Sequence, residues 1–102
     1  MNGTFEIQNE VRRKEFAFVS EDEKVRTNGS AEFDNENNVK HISAAVYADS
    51  DGEKTYRGYF NVTRQGDGTL LGSYNPQTDD DLDILLESKK AVVAQLTEND
   101  NA

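Results

Sequence analysis

The residues with chemistry to offer are few and scattered. His41 is the only histidine, and its ordinary pKa suits it to general-base work near neutrality. It stands at the start of a predicted strand with no nucleophile spaced to lie beside it, so it reads as a solvent-facing residue. Asp49-Ser50-Asp51-Gly52-Glu53 resembles the opening of a calcium loop. The EF-hand spacing needs a third oxygen ligand before its glycine and a bidentate Glu later; neither is in place, and the segment reads as a turn. Asp79, Asp80, Asp81 and Asp83 could hold a hard cation, yet acids at a helix start are also what the helix dipole favours. Arg12-Arg13-Lys14 is a short basic run able to contact a phosphate or an acidic partner. Gly66-Asp67-Gly68 joins two strands, the wrong setting for a phosphate-cradling loop. Carboxylates are plentiful, so pairs of them identify no glycosidase-like site. The sequence therefore predicts no enzyme, no cofactor and no metal.

Composition narrows the classes further. A length of 102 residues suits one domain with a modest core. Twenty acidic against eleven basic residues leave a formal charge of −9. That balance disfavours direct binding to nucleic acid or an anionic membrane. It favours solubility, a basic partner, or mimicry of nucleic-acid charge. With no cysteine there is no disulfide, thiolate nucleophile or Cys-based zinc site, which fits a cytoplasmic protein. No apolar run approaches the ~20 residues that span a bilayer, and no signal peptide is expected.

Strands must position most of these groups. Ile42, Ala44, Val46 and Ala48 alternate onto one face, as do Tyr56, Gly58, Phe60 and Val62, then Leu70, Gly72 and Tyr74. A two-residue turn at Asp51-Gly52 would set Val46 opposite Arg57 and break the apolar face, because a one-residue slip exchanges the faces. A three-residue loop instead pairs Asp49 with Glu53, with Gly52 left-handed. It predicts Val46 opposite Tyr56, Ala44 opposite Gly58 and Ile42 opposite Phe60. The same loop length at Gly66-Asp67-Gly68 predicts Phe60 opposite Tyr74 and Val62 opposite Gly72. Upstream, Phe5, Ile7 and Val11 suggest a strand from Thr4 to Val11, and Arg12-Arg13-Lys14-Glu15 a connection. Phe16, Phe18 and Val19 form a short second strand. Ser20-Glu21-Asp22-Glu23 turns the chain into a third, Val25 to Phe33, and a four-residue loop then pairs Ala31 with Ile42 and Gly29 with Ala44.

Beyond Pro76, Thr78 is a natural N-cap. Leu82, Leu85, Leu86, Val92, Val93 and Leu96 recur at helical spacing, with Lys89 and Lys90 placed late as the dipole prefers. The spacing predicts a helix over 79–96 in a single domain, 1–97, with a frayed polar tail at 98–102. At 1.5 Å per residue that helix is about 27 Å long, enough to cross six strands about 4.8 Å apart. It is only about 10 Å wide and cannot cover strands about 33 Å long. The expected fold is α+β: an antiparallel meander of about six strands, strongly bent or a partial barrel, packed against one C-terminal amphipathic helix. A second copy of the chain, as a homodimer, is another way to cover what remains.

In element order, strands followed by one C-terminal amphipathic helix, the chain resembles the pleckstrin-homology superfold. The resemblance implies a headgroup-binding module with Arg12, Arg13 and Lys14, between the first two strands, as anion contacts. The residues themselves favour a non-enzymatic regulatory or inhibitory module that presents an acidic surface, Asp79, Asp80, Asp81, Asp83 and Glu87, to a basic partner protein. Small acidic proteins of phage and mobile elements that block nucleic-acid-binding enzymes are similar in size and charge. A second candidate surface is the outward sheet face, where Tyr47, Tyr59, Leu71 and Arg57 stand among Ser43, Asn61 and Thr63; tyrosine and arginine dominate interface energetics. A further alternative is a carrier of a small apolar ligand, with Phe5, Ile7, Phe16 and Phe18 at the mouth of an internal pocket.

Overall fold

Each strand turns back on the one before it, so sheet order repeats chain order. The computed structural model describes residues 3–7, 13–34, 36, 38–50 and 52–100. The strands are β1 (Gly3–Ile7), β2 (Arg13–Ser20), β3 (Val25–Phe33), β4 (Val39–Ser50), β5 (Glu53–Arg64) and β6 (Leu70–Pro76). They form one six-stranded antiparallel sheet, bent but not closed, with β1 and β6 at its edges. A single 3₁₀ turn (Asp79–Asp81) leads into helix α1 (Leu82–Asp100). The helix thus runs past Leu96, where the apolar spacing ends, and takes in residues expected to fray. The predicted α+β meander with one C-terminal helix is the observed architecture.

The inner face is a set of rows running across the strands. Phe5, Phe18, Thr27, Val46 and Gly58 make one; Phe16, Gly29, Ala44, Phe60 and Tyr74 make the next. Leu85, Ser88, Val92 and Leu96 of α1 are wholly buried and recur every three or four residues, as one helical stripe must. The helix lies against β4, β5 and β6. Beyond its reach the bend of the sheet brings Phe16, Phe18, Val25 and Phe33 into the same core. Ile42, Phe60 and Tyr74 all join that core, as the strand alternation requires. Leu82, expected in the helical stripe, is 38 % exposed.

Register is where expectation and structure part. The β5–β6 pairing is as predicted, Phe60 opposite Tyr74 and Val62 opposite Gly72. The β3–β4 pairing likewise sets Ala31 opposite Ile42 and Gly29 opposite Ala44. The β4–β5 hairpin does not follow the predicted pairs. Ser50 stands opposite Glu53, so the turn has the two-residue length that threatened the apolar face. Tyr47 pairs with Tyr56, and the ladder then slips so that Val46 meets Gly58, Ala44 meets Phe60 and Ile42 meets Val62. Arg57 is the extra residue. This β-bulge restores the phase that burial of Phe60 and Val62 demands, and it leaves Tyr56 on the outer face. Gly58 carries the strain of the bulge at φ +130°. A Cβ there would stand 2.4 Å from the Asn75 carbonyl oxygen and 2.8 Å from the Pro76 Cα.

One further expectation is corrected. β2 begins at Arg13, so Arg13, Lys14 and Glu15 belong to a strand and not to a connection. Residues 8–12, including Val11 and Arg12, lie outside the described residues.

Candidate functional site

A sheet with its helix on one side has a second face, and the strand alternation decides what that face carries. Arg26, Tyr47 and Tyr56 form one outer row across β3, β4 and β5; Ala17, Asn28, Ala45, Tyr59 and Asn75 form the next. Ser30, Ser43, Asn61 and Ser73 follow, then Glu32, His41, Thr63 and Leu71. The rings of Tyr47 and Tyr56 meet at 5.7 Å between centroids and tilt by 60°, a favourable aromatic geometry. Tyr59 is 43 % and Tyr56 37 % exposed. Ala45 stands directly opposite Tyr59. Arg26 is held by its Nε donating to Asn28 Oδ1 at 3.2 Å. Beside it an open groove of about 440 Å³ runs over Arg13, Glu15, Asn28, Ser30 and Ser43. His41 sits at the far end, its Nδ1 3.2 Å from Thr63 Oγ1, a contact between strands that serves the sheet.

The structure gathers some predicted residues and separates others. Tyr47 and Tyr59 stand on one face as expected, and Tyr56 joins them, a residue that the assumed loop length had turned inward. Only the bulge brings it there, and the apolar pattern of β5 carries no sign of a bulge. Arg57, expected on this face, is instead committed elsewhere. Its Nη1 lies 3.6 Å from Asp81 Oδ1, and its Nη2 donates to the Asp49 carbonyl at 3.3 Å.

Asp81 leaves the acidic surface for the same reason. Its carboxylate accepts from the Thr78 N–H at 3.2 Å and from the Thr78 hydroxyl at 3.1 Å, while the Asp81 N–H donates to the Thr78 carbonyl. It is 8 % exposed and works as part of the helix start. Asp79, Asp80, Asp83 and Glu87 remain exposed; Asp79 and Asp80 lie in the 3₁₀ turn, and Asp83 and Glu87 follow four residues apart on the solvent side of α1. Among the described residues no group of His, Cys, Asp and Glu is placed to hold a metal ion.

The basic run is likewise broken up. Arg13 is exposed on the outer face, while Lys14 turns inward, its Nζ 4.6 Å from the centre of the Phe33 ring, a cation–π contact at the edge of the core. Arg12 is outside the described residues. The rings proposed for a ligand mouth are used in packing: Phe16 and Phe18 are 3 % and 1 % exposed, and Phe5 stacks on Phe16 at 5.3 Å. Ile7 lies in β1, paired with Phe16. Among the described residues no helix is long and apolar enough to cross a membrane.

Comparison with protein-family models, with curated proteins and with solved structures found no match to this chain.

Proposed function

We propose that this chain is a non-enzymatic protein-interaction module that binds a basic partner protein through the outer face of its sheet. The carrying observation is the one-sided placement of α1: among the described residues no element covers the opposite face, and Tyr47, Tyr56 and Tyr59 are gathered at one end of it beside Arg26. Tyrosine contributes rigid, amphipathic contact area at low entropic cost, and serine and asparagine contribute adaptable hydrogen bonds. The outer rows consist largely of these residue types. The charge of −9 supplies the complement to a basic partner. Asp79, Asp80, Asp83 and Glu87 on the helix steer its approach, raising the association rate more than the final affinity. Regulation or inhibition of the partner, including a partner that itself binds nucleic acid, is the activity such a surface serves.

The test is affinity capture from the native host with three baits: the unchanged chain, a Tyr47→Ala/Tyr59→Ala variant, and an Asp80→Lys/Asp83→Lys/Glu87→Lys variant. Far-ultraviolet dichroism confirms that each bait is folded. The expected result is a basic partner lost from the tyrosine variant and captured more slowly, with weaker salt dependence, by the charge variant. Equal capture by the unchanged and tyrosine baits would remove the sheet face as the contact surface.

A further inference from the structure

The last strand has one bonded side and one open side, and the hydrogen-bond phase says which residues face out. The Gln65 N–H donates to the Thr69 carbonyl at 2.7 Å, and the Gln77 N–H to the Arg57 carbonyl at 3.0 Å. Between these ends β5 and β6 pair without a register shift. Bonded pairs in an antiparallel ladder recur at every second residue. Leu71, Ser73 and Asn75 therefore turn their backbone groups to β5, while Leu70, Gly72 and Tyr74 point theirs away from the sheet. Pro76 falls in the outward phase, where its missing N–H costs no bond to β5.

Exposed edges are ordinarily blunted by charged side chains, proline, bulges or a covering element, and of these the strand itself carries only Pro76, as its last residue. In a chain whose residues are 30 % charged, none from Gly68 to Thr78 is. The β5–β6 ladder has no bulge, and Leu71 is 63 % exposed.

We propose that the free edge of β6 pairs antiparallel with the same edge of a second copy of this chain, about a two-fold axis at Gly72. Two molecules each carrying −9 repel one another wherever their charged surfaces meet, so an uncharged strand is the surface on which they can approach. The sequence of the strand is self-complementary in the one phase that the outward groups allow. Gly72 faces Gly72 of the other copy, and Leu70 faces its Tyr74 on the inner side. Each of these pairs exchanges both N–H···O bonds. Leu70 and Tyr74 are half-buried against the core, and the pairing covers what remains of both. Leu71 then lies opposite Ser73 on the outer side. The interface is isologous and closes at two copies, leaving the tyrosines of both outer faces free, so this inference stands or falls independently of the proposed partner.

Sedimentation equilibrium from micromolar to millimolar concentration, joined to amide hydrogen exchange on the same samples, tests it. The expected result is a reversible dimer in which the Leu70, Gly72 and Tyr74 amides gain protection as concentration rises. The Leu71, Ser73 and Asn75 amides should be protected throughout. A Leu71→Glu variant, adding like charge on both sides of the axis, should weaken dimerisation by about tenfold or more while keeping the monomer's dichroism. A single 11.4 kDa species at every concentration would overturn the proposal. So would a dimer whose Leu70, Gly72 and Tyr74 amides exchange freely, or one indifferent to Leu71→Glu.

Discussion

The two long hairpins of this sheet reach the same apolar face by different routes. β5 and β6 are joined by a loop in which the Gly68 N–H donates to the Gln65 carbonyl at 2.9 Å and Gly68 sits at φ +90°. That is a turn followed by one left-handed residue, and it delivers the correct phase directly. β4 and β5 are joined by a shorter turn that delivers the opposite phase, and a bulge at Arg57 corrects it three residues beyond Lys54, the partner of Asp49. The difference teaches that burial outranks turn chemistry. Phe60 and Val62 are wholly buried, and burying each is worth about 1.5–3 kcal/mol, which the uncorrected phase would forfeit at both positions. The correction also has a product. The extra residue, freed from the ladder, reaches Asp81 and ties the sheet to the start of α1.

The largest effect should come from filling the bulge. Gly58→Ala places a side chain at φ +130°, where L-residues are strained, and drives its Cβ into the β6 backbone. An expected loss of about 3 kcal/mol or more in urea unfolding follows from strain plus backbone displacement. If Gly58→Ala unfolded at the same midpoint as the parent, the bulge as described would be wrong.

Asp81→Ala comes next. It removes the acceptor for the Thr78 N–H and hydroxyl and the counter-ion of Arg57, at an expected cost of about 1–3 kcal/mol. A double-mutant cycle with Arg57→Met should show coupling between the two positions. The Asp80→Ala change, one residue away but exposed, should shift the midpoint little. Equal effects at Asp80 and Asp81 would mean that the Arg57–Asp81 pair contributes nothing beyond helix-start charge.

This contrast also shows what the sequence discloses and what it hides. Strand number, the inward set from Ile42 to Tyr74 apart from Tyr56, and the helix after Pro76 follow from periodicity, because core burial imposes that periodicity on the residues directly. The loop after Asp49 does not, since Ser50-Asp51-Gly52 is compatible with two turn lengths and a bulge can absorb the difference later. The longer loop turns Tyr56 to the wrong face for that reason, and composition alone does not disclose that Arg57 and Asp81 are committed to each other. Residues 13–15 read as a connection in the sequence because a polar strand start has no apolar alternation to betray it. The gathering of Tyr47, Tyr56 and Tyr59 depends on the bulge, so this part of the site was legible only in pieces.

A smaller effect belongs to the hairpin that needed no correction. Gly68→Ala forces a Cβ into a left-handed position with open space around it, so the cost is conformational alone, about 1 kcal/mol. Thermal unfolding should register a shift well short of that for Gly58→Ala, although both glycines have positive φ. Comparable losses would show that backbone strain, and not the close approach of β6, makes Gly58 necessary.

The subtlest difference between the hairpins is in acid. Asp67, in the β5–β6 loop, accepts from the Thr69 hydroxyl at 2.7 Å and from the Thr69 N–H at 3.0 Å. These bonds, the hydroxyl first, hold its carboxyl below the ordinary 3.8. Asp34, bonded by the Asn38 and Glu36 N–H groups, and Asp22, bonded by the Ser20 hydroxyl and the Lys24 N–H, are lowered in the same way. A carboxyl whose pKa falls on folding adds stability that is fully present above its unfolded value and is lost as pH falls through the folded one. The advantage of the parent over Asp67→Asn should therefore be constant above about pH 5 and shrink toward zero in stronger acid. Urea midpoints of the two chains measured between neutrality and acid would read it directly. A difference independent of pH would show that the loop is held by the shape of Asp67 and not by its charge.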